Sequence, residues 1–85
     1  MADKITYNIT RHLAVLSTSE KSGWTTEANI VSWNNGPEKL DIRAWNPEHT
    51  KMAKGLTLTE KEAKRLALAL GDLFRQQGEA HENTQ

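Results

Sequence analysis

A single α+β domain, four antiparallel strands followed by one helix, is the fold class this chain predicts, and three observations predict it. Up to Asn46 the sequence is rich in Thr, Ile, Val and Trp spaced with a period of two, the spacing of a half-buried strand. Turn chemistry punctuates those runs at Ser19-Glu20-Lys21-Ser22-Gly23 and at Asn34-Asn35-Gly36-Pro37. Beyond Thr59 the apolar spacing switches to three and four. Strands first and a helix last imply an antiparallel sheet with one face covered by the helix and the other free.

Ile5, Tyr7 and Ile9 alternate against Thr6 and Asn8, which predicts a first strand over residues 5–9. His12-Leu13-Ala14-Val15-Leu16-Ser17-Thr18 predicts a second, Trp24 to Asn34 a third and Glu38 to Asn46 a fourth. Asn46-Pro47-Glu48-His49 is a turn, because Pro47 has no amide to give to a ladder. Thr50 to Lys54 form a basic loop that leads into Gly55-Leu56-Thr57-Leu58. Thr59-Glu60-Lys61-Glu62 is a capping box, so the helix starts at about residue 60. Ala63, Leu66, Ala67, Leu70, Leu73 and Phe74 line one stripe of it, and Gly78 provides a stop. Residues 1–78 thus make the domain, and 79–85 a polar tail expected to be disordered.

Composition limits what such a domain does. At 85 residues it buries a modest fraction of its surface, so association with a second copy would stabilise it. There is no cysteine, which excludes disulfides and thiolate metal sites, and no cofactor is expected. No apolar run approaches the roughly 20 residues of a membrane span, and nothing near the amino terminus reads as an export signal. Cytoplasm, in association with the nucleoid, is the expected location. Eleven cations balance eleven anions, which excludes a protein that holds nucleic acid by charge alone.

Local placement is more telling than net charge. Period two puts Lys39, Asp41, Arg43 and Trp45 on one face of their strand, with Leu40, Ile42 and Ala44 on the other. The free face then carries Val31, Trp33, Lys39, Arg43 and Trp45, two indoles among cations, which is the make-up of a stacking platform for unpaired bases. Lys51 and Lys54 border it from the loop, where cations position a nucleic-acid backbone. Trp24 falls with Ala28 and Ile30, which favours core packing, although its place beside Gly23 also suits a channel rim. The plainer alternatives are local core for Trp45 against Pro47, and an ion pair of Arg43 with Asp41 or Glu27.

Lys39-Leu40-Asp41-Ile42-Arg43-Ala44-Trp45, then Lys51-Met52-Ala53-Lys54-Gly55-Leu56-Thr57-Leu58-Thr59, then the helix, resemble the single-stranded-DNA-binding domain of the transcriptional coactivator positive cofactor 4. The likeness is closer to its short bacterial relatives of the YdbC type, where it extends from about Ile5 to the helix end and takes in Gly23-Trp24-Thr25 and Val31-Ser32-Trp33-Asn34. The resemblance implies a homodimer of β-β-β-β-α subunits with helices at the interface, and two curved sheets whose channels hold single-stranded DNA. It implies strand contacts by Arg43, Trp45 and Lys54 and no catalysis. The coactivator has two adjacent aromatics where this chain has Trp45-Asn46, and its serine-rich regulatory arm has no counterpart here.

Catalysis is not expected from the residues either, since His12, His49 and His81 lie in no ligand or acid–base motif. Two alternatives to single-stranded DNA stay open: single-stranded RNA, and a protein partner docked on Trp33 and Trp45.

Overall fold

The structure, a computed structural model, describes residues 5–84, with side chains through residue 75. Four strands form one antiparallel sheet in the order β1-β2-β3-β4, comprising β1 (Tyr7–Thr18), β2 (Thr25–Trp33), β3 (Glu38–Trp45) and β4 (Leu56–Leu58), followed by helix α1 (Glu60–Thr84). The α+β class and the β-β-β-β-α order therefore hold. The membership of the strands differs from the sequence expectation.

Residues 5–9 and 12–18, expected as two strands, are one continuous β1. Its register against β2 slips three times, between Ile9 and Arg11, His12 and Ala14, and Val15 and Ser17. Each slip leaves one extra residue, Thr10, Leu13 and Leu16 in turn, so Tyr7, Ile9, His12, Val15 and Thr18 pair with alternate residues of β2. The strand thus reads with a spacing of three where regular alternation demands two. That mismatch is what disguised a single strand as two. The fourth strand is β4, whose Leu40↔Leu58 and Ile42↔Leu56 pairings extend the sheet beyond β3.

The β2–β3 hairpin turns through Asn34 and Asn35, both at positive φ, with the Gly36 amide donating to the Trp33 carbonyl at 2.8 Å. Asparagine tolerates this left-handed backbone better than other side chains do. At the helix start the capping box forms as expected: the Glu62 amide donates to the Thr59 hydroxyl at 3.1 Å and the Thr59 amide to the Glu62 carboxylate at 2.9 Å. The helix continues past Gly78 to Thr84, so that glycine does not stop it. A lone interior glycine costs a helix only about 1 kcal/mol. The side chains of the expected tail lie outside the described residues.

The core lies on an unexpected face. Val31 and Trp45 are fully buried, and beside them are Glu27, Asn29 and Asp41, all odd-numbered positions on the face expected to be free. Among the described residues the helix packs mainly against β3 and β4 and leaves Leu70, Leu73 and Phe74 exposed. It does not cover the sheet within one chain, and no helix among the described residues is long and apolar enough to cross a membrane.

Candidate functional site

Alternation in β2 and β3 brings Trp33, Lys39 and Arg43 onto one face, because Val31 pairs with Lys39 and Glu27 with Arg43. The guanidinium of Arg43 lies 4.7 Å from the centroid of the Trp33 ring, a cation–π arrangement. Tyr7 completes the cluster from β1, its ring 5.9 Å from that of Trp33 and 5.3 Å from that of Trp45. Trp33, Lys39 and Arg43 line an open groove of about 420 Å³ with Pro37, Thr57 and Ile5.

Arg43 is held, not free. Its Nε donates to Asp41 Oδ2 at 2.7 Å and its Nη2 to Asp41 Oδ1 at 2.8 Å, a two-pronged pair with a carboxylate that has no solvent exposure. Thr57 donates to the same Oδ1 at 2.9 Å, and Arg43 Nη1 reaches the Ala53 carbonyl at 3.3 Å. Only 13% of the Arg43 side chain is exposed. The ion pair weighed from the sequence therefore exists, and it orients the cation over Trp33 at the groove. A Cβ on Gly55 would collide with the Arg43 side chain and the Ile42 carbonyl, so glycine is required there for close approach of the backbone.

Trp45 corrects the expectation of an exposed stacking ring. It has no accessible surface, and a ring without surface cannot stack on a base. The turn after β3 folds back to bring His49 against it at 5.6 Å, nearly parallel, while Met52 bridges to its backbone and Tyr7 covers another side. The Nε1 groups of Trp45 and Trp33 are both buried without a hydrogen-bond partner among the described residues. Lys51 and Lys54 are exposed on the β3–β4 connection, as expected, but do not line the groove. Trp24 is half-buried just ahead of β2, in step with Thr26 and Ala28 and away from the Arg43 face.

Sequence reasoning missed a second cluster on the same face. Glu27 is almost wholly buried and receives hydrogen bonds from Thr25, from Asn29 Nδ2 at 3.2 Å and from His49 Nε2 at 2.8 Å. Asn29 in turn accepts from His12 Nδ1 at 2.7 Å. Burial pushes the Glu27 carboxyl up, but the bonds from Thr25, Asn29 and His49 and the charge of His49 outweigh it, leaving the group below its ordinary value. The bulges of β1 carry His12 onto this face, and regular alternation could not have shown it.

A family model described as Transcriptional Coactivator p15 (PC4) matches residues 20–68, from the β1–β2 turn into the early turns of α1. An uncharacterized protein of Treponema pallidum (strain Nichols) is 49% identical over 72 residues, which is 85% of this chain and 79% of that protein.

Proposed function

The chain belongs to the family of the transcriptional coactivator p15 (PC4), and on that premise we propose that the Trp33 face binds single-stranded DNA with little sequence preference. The observation that carries this is the open groove in which one indole and two cations, Trp33, Lys39 and Arg43, stand together. An unpaired base offers a π-face to Trp33 whatever its identity, whereas bases within a duplex are already stacked. Lys39 supplies a phosphate contact, and Lys51 and Lys54 extend the cationic border from the loop. Arg43 keeps its carboxylate and stays fixed over the Trp33 ring, adding a cation to the wall of the groove. With zero net charge, stacking contributes more of the affinity than counterion release.

The active form is a homodimer. Leu70, Leu73 and Phe74 form an exposed apolar stripe on a helix that the chain's own sheet leaves uncovered, and a second copy of the same stripe is its self-complementary cover. No catalytic step is assigned to the fold.

Electrophoretic shifts with oligo-dT, oligo-U and a duplex of equal length test the proposal. Oligo-dT is expected to shift the protein and quench Trp fluorescence while the duplex does neither. Equal affinity for the duplex would overturn it, and tighter binding of oligo-U would reassign the face to RNA.

A further inference from the structure

We propose that His12, Glu27 and His49 form a proton-gated phosphate subsite on this face, so that single-strand affinity rises as pH falls below neutrality. This rests on the single-strand reading above. Glu27 is the register partner of Arg43, so the cluster lies on the same sheet face as the groove. His12 and His49 line a separate open depression of about 360 Å³ with Ile9, Val15, Glu27 and Asn29.

The hydrogen bonds define what each ring can do. His12 Nδ1 donates inward to Asn29, and His49 Nε2 donates inward to Glu27. In the neutral rings the other nitrogens, His12 Nε2 and His49 Nδ1, therefore hold lone pairs, and neither has a partner among the described residues. The side chains are 53% and 42% exposed. A phosphate oxygen there meets two acceptors beside an ionised carboxylate, and is repelled. Protonation turns both outer nitrogens into N–H donors and changes the cluster from one net negative charge to one net positive. Imidazole is the side chain that makes this change just below neutral pH.

The other charged and titratable groups facing the cluster already have partners. Glu27 is held below its ordinary value and stays ionised. Across the sheet, Asp41 is paired with Arg43. From β1 the Tyr7 hydroxyl donates to the His49 carbonyl.

The test is oligo-dT affinity of the full chain from pH 8 to pH 5.5, for the parent and for a His12→Gln, His49→Gln double variant that retains His81. The parent should bind roughly tenfold more tightly at the acidic end, the equivalent of one pKa unit of coupling. Its salt dependence there should steepen by about 0.7 for each imidazolium–phosphate contact. The double variant should show neither change. Should that variant not fold, NMR titration of the parent's histidines serves, with oligo-dT expected to raise both pKa values and unmoved values overturning the proposal. A parent that binds oligo-dT equally at all pH overturns the gate and leaves the single-strand reading standing. Equal pH dependence in parent and variant, or its disappearance in EDTA, also overturns the gate. A parent that binds at no pH sinks both.

Discussion

Replacing Asp41 by Asn should destabilise the protein severely, by an amount that the geometry around Arg43 sets. Asp41 Oδ1 accepts from Arg43 Nη2 and Thr57, and Oδ2 accepts from Arg43 Nε at 2.7 Å. An amide keeps one oxygen and sets an NH₂ where an acceptor stood, so one donor faces another. The guanidinium, only 13% exposed, then lacks its counter-charge. Removing one partner of a buried ion pair costs about 3–5 kcal/mol, against the roughly 5–15 kcal/mol that holds a domain folded. At roughly 4–8 °C per kcal/mol for a domain of this size, the thermal midpoint should fall by at least about 12 °C. Circular dichroism melts at one fixed protein concentration measure it, since association makes the midpoint concentration-dependent. Two controls isolate the cause. The loss should persist in 1 M salt, because a buried pair is screened little. Adding Arg43→Met should restore much of it, because an apolar replacement leaves no charge unpaired. A drop below about 4 °C would mean that water reaches the pair, and the keystone role given to Asp41 would fail.

Four further outcomes are expected. Trp33→Ala should weaken oligo-dT binding by about 1–3 kcal/mol with little change in salt dependence, whereas Trp45→Ala should cost about 3–5 kcal/mol of stability; the reverse assignment in titrations and melts would place the stacking ring elsewhere. Phe74→Lys leaves the single chain's core intact, since Phe74 is 58% exposed, and should halve the mass seen by light scattering; an unchanged mass speaks against a helix-mediated dimer. Because the Glu27 pKa is lowered on folding, its contribution is present above the ordinary value of 4.5 and lost as pH falls below it. Urea midpoints should therefore decline through that acidic range and decline less in Glu27→Gln. Thr59→Ala should remove about 1 kcal/mol through loss of the cap, read as a lower urea midpoint.

The parts of the fold legible in the sequence are those governed by local rules. β2 and β3 keep strict alternation, so the shared face of Trp33, Lys39 and Arg43 could be read directly, and the capping box located the helix start near residue 60. β1 was not legible as one strand, because three slips broke its period, and β4 spans only three residues. Trp45 was misread for a different reason. Its neighbours on the same strand face, Asp41 and Arg43, are charged, but its burial comes from Tyr7, His49 and Met52, which reach it by folding over the sheet. Such coverage leaves no periodic trace. The histidine cluster was hidden by both effects, since His12 needs the bulges and His49 the returning loop to meet Glu27.

The same slips in β1 matter for how the protein behaves among its own copies. β1 is an outer strand, twelve residues long and carrying exposed Leu13, Val15 and Leu16, the kind of edge on which a neighbouring molecule can lay down another strand and begin a fibre. Each extra residue interrupts the row of outward-facing amides and carbonyls and tightens the local twist, so no flat ladder is offered for templating. The opposite margin, β4, is too short to serve as a template. Both margins of the sheet are thereby closed to edge-on growth. What the fold leaves open to another molecule is then the apolar stripe of the helix, Leu70, Leu73 and Phe74, and not a strand edge.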